Sequence, residues 1–201
     1  MPQACGGTCS DVLRCAGESC VEPISLAAGT SHTCGLSQEG MPICWGLDED
    51  GRLNAATGAY VALSAGASHT CGIRKSDGRA VCWGSALDGR LAAPDVALLA
   101  LSAGGAHACG VRADNRELVC WGDLPGSIQP PPGRFQAVAA GAFYTCAIRA
   151  DDQRLECWGN NPISLFPDDQ VIPTPGGEFA SVSVGGSNAC GIRKADRKVL
   201  G

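Results

Sequence analysis

An internal repeat is the feature that most constrains what this chain can fold into. Five glycines recur at intervals of 37, 38, 37 and 44 residues, and they are Gly29, Gly66, Gly104, Gly141 and Gly185. Four of the stretches that begin there run through a cysteine to a Cys-Trp-Gly triplet, and the fifth runs to residue 201. A repeat of this length is typical of propellers and solenoids, in which each unit is one small supersecondary structure.

Each repeat has the pattern of short β-strands. In the second repeat, residues 60–65 alternate between faces, residues 69–74 follow the glycine turn, and residues 80–83 return after Ser-Asp-Gly. No repeat shows a 3.6-residue apolar period of helical length. We therefore expect an all-β chain.

The spacing of the cysteines predicts the register of a hairpin. Cys71 and Cys82 lie directly opposite each other if a four-residue loop joins their strands. In the first repeat the spacing is 10 rather than 11, and the pair stays opposite if the loop shortens by one residue, with Gly40 available for a left-handed conformation. Opposed residues on antiparallel strands are close enough for a disulfide. The predicted disulfides are Cys34–Cys44, Cys71–Cys82, Cys109–Cys120 and Cys146–Cys157, whereas Cys190 aligns with Gly201 and lacks a partner.

The same register gives each hairpin a disulfide face and a tryptophan face. Trp83 falls opposite Thr70, diagonal to Gly72, where a missing side chain would leave room for the indole. Two sets of repeated residues are predicted to be structural, namely Trp45, Trp83, Trp121 and Trp158, and His32, His69 and His107. The histidines could alternatively be metal ligands beside the cysteines. Their recurrence favours packing, because active sites are normally singular, and Tyr144 and Asn188 occupy the equivalent positions later.

A separate cysteine cluster precedes the repeats. Residues 1–22 contain Cys5, Cys9, Cys15 and Cys20, without the C-x2-C spacing that zinc sites usually show. We expect two disulfides in a small N-terminal segment. The spacing leaves their connectivity open, with a zinc site as the alternative.

The repeats resemble the regulator of chromosome condensation repeat family. The shared features are a small-residue and Gly turn, His-Thr, an apolar strand, Asp-Gly and Trp-Gly, over residues 24–201. Residues 48–53 and 87–91 are similar to the family's Gly-Gln-Leu motif, with Arg replacing Gln. The resemblance implies a β-propeller, normally of seven blades, and the paired cysteines resemble secreted bacterial members.

Chain length and period together imply a partial ring. Seven blades of this period need about 260 residues. The chain therefore holds about four and a half blades, expected at 24–60, 61–97, 98–134, 135–178 and, incompletely, 179–201. It is then either a fragment of a longer protein or an open arc, whose unpaired strand edges favour self-association.

Charge and composition restrict partners and compartment. The net charge of −5 argues against nucleic-acid binding, and no uncharged apolar stretch reaches the 18 residues of a membrane span. No signal peptide is visible at the N-terminus. The paired cysteines nevertheless argue for an oxidising compartment, and we weigh four register-consistent pairs above a missing leader. We therefore expect an extracellular or cell-surface location, in a bacterium.

Functional residues are expected where the repeat pattern breaks. The segment 160–178 carries Ile163, Leu165 and Phe166, and Phe143 and Tyr144 replace the Ser-His or Ala-His pair of other repeats. These five residues are candidate partner-binding residues, although the segment could equally pack over its own blade. An arginine follows each middle-strand cysteine by three residues, which suggests either a basic arc or local pairing with nearby aspartates. These arginines are Arg74, Arg112, Arg149 and Arg193.

No catalytic motif accompanies these features. We therefore expect a non-enzymatic module without a cofactor, which binds a protein or a surface glycan through the loops that connect blades. The resemblance alone suggests an alternative, a regulator that promotes nucleotide exchange on a small GTPase. A hydrolase or lyase on a propeller is a third possibility, and it would need convergent carboxylates on one face.

Overall fold

Antiparallel sheets and one 3-10 turn form the regular secondary structure of the described residues. The structure, a computed structural model, describes residues 14–16, 19–21, 24–123, 129–159 and 174–201. Its strands are β1 (Arg14–Ala16), β2 (Ser19–Val21), β3 (Ser25–Ala28), β4 (His32–Leu36), β5 (Pro42–Gly46), β6 (Tyr60–Ala65), β7 (His69–Arg74), β8 (Ala80–Gly84), β9 (Leu98–Ala103), β10 (His107–Arg112), β11 (Leu118–Gly122), β12 (Phe135–Ala140), β13 (Tyr144–Arg149), β14 (Leu155–Gly159), β15 (Phe179–Val184), β16 (Ala189–Arg193) and β17 (Val199–Leu200). A 3-10 turn, Leu87–Gly89, lies between β8 and β9. The all-β prediction is confirmed.

Five three-stranded sheets follow one another as blades. Blade 1 is β3–β5, and blades 2 to 5 are β6–β8, β9–β11, β12–β14 and β15–β17. The first strand of each blade lies beside the first strand of the next. The first strands therefore line the inside of an arc, and the blades radiate from it as in a partial β-propeller.

The predicted hairpin register and its disulfides are present. Cys71 pairs with Cys82 and Thr70 with Trp83, and in blade 1 Cys34 pairs with Cys44 across the shorter loop. All four predicted bonds are formed, with Cα–Cα distances of 4.0 to 4.1 Å. Cys190 is exposed and is not disulfide-bonded.

Neighbouring blades pack the disulfide face of one against the tryptophan face of the next. Cys34 of blade 1 shares a buried cluster with Trp83 of blade 2. The same pairing joins Cys71 to Trp121 and Cys109 to Trp158. The core of the protein is thus a series of interfaces between blades. Each of the first three contains one cystine and one indole, whereas the interface between blades 4 and 5 contains the Cys146–Cys157 cystine and Tyr144.

The predicted contact between Trp83 and Gly72 is not present. A Cβ atom added at Gly72 would lie 2.5 Å from Cδ1 of Tyr60 and 2.8 Å from Cδ2 of Leu63, and both residues belong to the first strand of the blade. The first strand lies directly against the middle strand that carries Gly72, so its bulky residues fill the space. Trp83 packs on Tyr60 instead, with ring centroids 5.7 Å apart.

The repeated glycines permit a close approach between blades. A Cβ at Gly66 would lie 2.2 Å from the carbonyl oxygen of Gly104, and a Cβ at Gly104 would lie 2.3 Å from that of Gly141. Backbone hydrogen bonds use this proximity, because Ala67 donates to Gly104 at 3.1 Å. The glycine period of the sequence therefore marks the backbone contact between successive blades.

The hairpin tips add a second backbone link. Gly40 has a φ of +87°, the left-handed conformation expected of the short loop, and its carbonyl accepts a hydrogen bond from the amide of Tyr60 in blade 2. Gly78 bonds to Leu98 of blade 3 in the same way, at 2.8 Å. Each blade is thus held to the next at both ends of its strands.

The N-terminal segment contributes one short hairpin. Strands β1 and β2 are antiparallel, and their backbone register sets Cys15 opposite Cys20. Cys5 and Cys9 lie outside the described residues. The predicted division at residue 22 and the connectivity of these four cysteines stay predictions.

Candidate binding surfaces

Each blade presents two ends where a partner could bind. At the loop end, the turn between the first two strands lies beside the exit of the third, since Ser85 donates to the carbonyl of Ser68 at 2.9 Å. At the hairpin end, the tip between the second and third strands lies beside the start of the first, since Lys75 donates to the carbonyl of Ala59.

Buried arginines hold the loop end of blades 1 and 2. Nη1 of Arg90 donates to Oγ of Ser68 at 2.5 Å, and its Nε donates to a carbonyl of the 3-10 turn at 2.9 Å. Arg52 makes the same two types of bond, to Ser31 and to a carbonyl in its own loop. The Arg-containing motif therefore fastens a loop to its own blade. Blade 3 has Ala106 in place of the serine and lacks the motif.

The repeated histidines connect blades. Nε2 of His32 lies 2.7 Å from the hydroxyl oxygen of Thr70 in blade 2, and Nε2 of His107 lies 2.7 Å from that of Thr145 in blade 4. His69 is equally buried, but blade 3 carries Ala108 where the threonine would be. Its Nε2 has no hydrogen-bond partner among the described residues. The histidines thus lie in separate interfaces and pack there.

Burial keeps these histidines neutral at physiological pH. Desolvation, together with a smaller effect of the nearby guanidinium of Arg90, lowers the pKa of His69 from 6.5 to about 4. Desolvation alone lowers the pKa of His107 to about 4. The pKa of His32 is also lowered, by burial and by Arg52.

The unpartnered imidazole of His69 predicts that Ala108→Thr stabilises the protein. The new hydroxyl occupies the position that Thr70 and Thr145 hold in their interfaces, and it gives Nε2 a partner. The control is Ala108→Val, which adds similar bulk without a hydroxyl. We expect the free energy of unfolding of Ala108→Thr to exceed that of Ala108→Val by about 1 kcal/mol, the usual net value of one hydrogen bond. Urea unfolding followed by tryptophan fluorescence measures the difference. Equal stability of the two variants would contradict the prediction.

The two aromatic candidates of blade 4 have different environments. Tyr144 is only 5% exposed and shares a cluster with Cys146, Cys157 and residues of blade 5. Tyr144 occupies the position that the histidine has in blades 1 to 3. In blade 5, Ala189 occupies the position of the threonine that contacts this histidine in other interfaces. The burial of Tyr144 does not fit the predicted partner-binding role. Phe143, the residue before it, is 41% exposed.

The other apolar candidates, Ile163, Leu165 and Phe166, lie outside the described residues. Their predicted role in partner binding stays a prediction.

The arginines that follow the middle-strand cysteines form local ion pairs. Arg74 holds the carboxylate of Asp77 through two donors, at 3.0 and 2.5 Å, and this contact keeps the pKa of Asp77 at about 2. Arg112 and Arg193 each make an equivalent two-donor contact with an aspartate, and Arg149 pairs with Glu156 at 2.8 Å. Local pairing, rather than a free basic arc, describes these four side chains.

Comparison with known families and structures agrees with the repeat. The family model for the Regulator of chromosome condensation (RCC1) repeat matches residues 60–90. No curated protein matches the chain in sequence. None of the helices within the described ranges has the length and apolarity that crossing a bilayer requires.

Several solved structures share the fold. The ectodomain of the receptor kinase CR4 from Physcomitrella patens matches with a TM-score of 0.76 and 23% identity, over 90% of this chain and 50% of that one. The CRINKLY WD40 ectodomain of ACR4 from Arabidopsis thaliana matches with a TM-score of 0.71 and 27% identity, over 87% and 60%. Yeast RCC1 (Prp20), solved bound to Kap60, matches with a TM-score of 0.69 and 17% identity, over 88% and 55%.

The chain thus spans 50% to 60% of the length of these three proteins. Its five consecutive blades therefore match a part of each of these structures. The glycine turns, the middle-strand cysteines and the Trp-Gly strand ends occupy the same place in blades 1 to 4, and Tyr144 replaces the histidine of the His-x-Cys pattern in blade 4. Residues 60–90 therefore match the regulator of chromosome condensation repeat, and the chain as a whole is arranged as a partial β-propeller of that type.

Proposed function

We propose that this chain is a non-enzymatic module that binds a protein partner outside the cell. The observation that carries the proposal is Phe143, an exposed phenylalanine at the loop end of blade 4. The equivalent residues in the other blades are Ser31, Ser68, Ala106 and Ser187. An aromatic side chain at the surface, in a position that is otherwise small, is the type of residue that anchors protein interfaces.

The surroundings of Phe143 support a rigid anchor. The amide of Ala142, immediately before it, donates to Gly185 of blade 5 at 3.2 Å. Tyr144, immediately after it, is buried against the Cys146–Cys157 disulfide. Because both flanking residues are fixed, burying the ring against a partner costs little conformational entropy.

The cysteines support an extracellular site of action. Four disulfides, one in each of blades 1 to 4, persist in oxidising compartments and are rare in reducing ones. Two of the structures with the same fold are ectodomains of receptor kinases. Within the described part of the chain, no three His, Cys, Asp or Glu side chains form a metal-binding group.

Affinity capture followed by titration tests the proposal. Immobilised chain is exposed to the extracellular proteins of the source cells, and each captured protein is purified and titrated by calorimetry. We expect Phe143→Ser to weaken the binding about tenfold or more, as loss of a buried aromatic anchor does. Met41→Ser, which changes an exposed apolar residue of the blade 1 hairpin, is the control. Equal binding by wild type and Phe143→Ser would overturn the assigned surface.

A further inference from the structure

An ion pair joins the hairpin end of blade 2 to the segment that leads into blade 3. Nη1 of Arg79 lies 2.6 Å from Oδ1 of Asp95. Arg79 belongs to the hairpin, where its carbonyl accepts the amide of Arg74 at 2.9 Å. Asp95 stands three residues before Leu98, the first residue of blade 3. A carboxylate from one blade thus pairs with a guanidinium of the blade before it.

Blade 4 repeats this arginine, but blade 5 lacks the carboxylate. Arg154 corresponds to Arg79, because its carbonyl accepts the amide of the middle-strand arginine in the same way, at 3.0 Å. Phe179 is the first residue of blade 5, and its amide bonds to the hairpin tip of blade 4 at 2.8 Å. Three residues before Phe179, where blade 3 has Asp95, the chain has Gly176. Arg154 is therefore without the counterpart of the carboxylate that Arg79 holds.

An open cavity of about 350 Å³ lies between Arg154 and Gly176. A Cβ atom at Gly176 would meet no heavy atom within 4 Å. The amides of Gly176 and Gly177 donate no backbone hydrogen bond among the described residues. A guanidinium beside amides without acceptors is a donor set that suits a carboxylate. The residues that line the cavity are Arg154, Leu155, Thr174, Pro175, Gly176 and Gly177.

The guanidinium of Arg154 is accessible at this cavity. Its side chain is 73% exposed, and the carboxylate of Asp152 lies 3.8 Å from its Nε, beyond hydrogen-bond distance. Two other charges lie nearby. Glu178 is exposed and forms no ion pair among the described residues, and Nζ of Lys194 donates to the side-chain oxygen of Gln153, next to Arg154. Because these charges are mixed, attraction of an anion depends on the position of Arg154 and not on a net positive field.

We propose that this cavity binds an aspartate or glutamate side chain of a partner protein, whose carboxylate meets Arg154 as Asp95 meets Arg79. This proposal rests on the proposed function as a protein-binding module, but it concerns the hairpin end of the molecule and not the loop end that carries Phe143. The chemistry of the occupant follows from blade 2, where the equivalent arginine holds a carboxylate. Since one exposed ion pair contributes little affinity, we expect a dissociation constant in the millimolar range for an isolated acidic residue.

Titration followed by NMR signals of backbone amides and arginine side chains tests the proposal. The probe is aspartate blocked at both ends as the N-acetyl N-methylamide, and the same derivative of asparagine is the neutral control. We expect the aspartate probe to shift the signals of Arg154 and Gly176, and its affinity to fall about fivefold or more in Arg154→Gln. Arg79→Gln, which removes the arginine that already holds a carboxylate, should leave the affinity unchanged.

A carboxylate supplied by the chain itself gives a second test. Gly176→Asp places an aspartate at the position equivalent to Asp95, so it should occupy Arg154 and weaken binding of the aspartate probe about fivefold or more. Gly176→Asn has the same size without the charge and should retain most of the affinity. Both side chains have room, because a Cβ at Gly176 has no near neighbour and the backbone there is not left-handed.

The other outcomes contradict the proposal in distinguishable ways. Equal binding of the asparagine probe would exclude a carboxylate site, and equal binding by Gly176→Asp and wild type would exclude this cavity. Tighter binding of glucuronate, a sugar carboxylate, would indicate a glycan instead of a protein. Absence of probe binding, or its loss in Phe143→Ser but not in Arg154→Gln, would overturn the cavity and leave the proposed function intact. Since the substituted residues are exposed, we expect the melting temperature of each variant to lie close to that of the wild type.

Discussion

Gly104→Ala is expected to destabilise the protein by about 3 kcal/mol or more, a large effect for one methyl group. The added Cβ would lie 2.3 Å from the carbonyl oxygen of Gly141 and 2.7 Å from Cε1 of His107. The first of these atoms is backbone of the next blade and cannot move aside. Relief therefore requires separation of blades 3 and 4, with loss of the hydrogen bond from Gly105 to Gly141 and of the bond from His107 to Thr145.

Urea unfolding followed by the fluorescence of the tryptophans measures this effect. Gly176→Ala is the control, because a Cβ there meets no heavy atom within 4 Å and its backbone is not left-handed. We expect this control to lie within about 0.5 kcal/mol of the wild type. Stability of Gly104→Ala equal to that of Gly176→Ala would show that the blades are not packed through these glycines.

The architecture could be predicted from the sequence because each repeat carries the same few contacts. One cysteine spacing was enough to set the register of β7 and β8, and the shorter spacing in blade 1 tested it independently. The role of the period-setting glycines could not be predicted in the same way. Their neighbours lie in the next repeat, and no spacing within one repeat indicates which backbone approaches which.

The candidate sites were less predictable, because burial depends on the partner strand. Tyr144 and Phe143 are adjacent aromatic residues, and only the structure shows one buried and the other exposed. A signal was nevertheless present in the sequence. Where Tyr144 replaces the histidine, Ala189 in the next repeat replaces the threonine that would bond to it. The β-bulges near the start of the first strand in blades 2 to 5 could not be predicted from the sequence, because one extra residue does not change the composition of a strand.

Acid is expected to weaken the fold well before the carboxylates are protonated. His69 and His107 have a folded-state pKa of about 4, against 6.5 for an unperturbed histidine. Between these two values the unfolded chain binds more protons than the folded one. The stability is therefore complete above pH 6.5 and is lost as the pH falls toward 4. At pH 5 we expect a loss of about 2 kcal/mol for each of the two histidines.

The position of this loss on the pH scale identifies its source. Arg74 and Arg193 lower the pKa of Asp77 and Asp196 to about 2, so these surface pairs are weakened only below pH 3.8. Urea midpoints measured between pH 7.5 and pH 4.5 therefore report the histidines. His107→Gln, which retains a group able to reach Thr145 but does not titrate, should reduce the slope by about half. An unchanged slope in that variant would show that His107 does not contribute to the loss of stability.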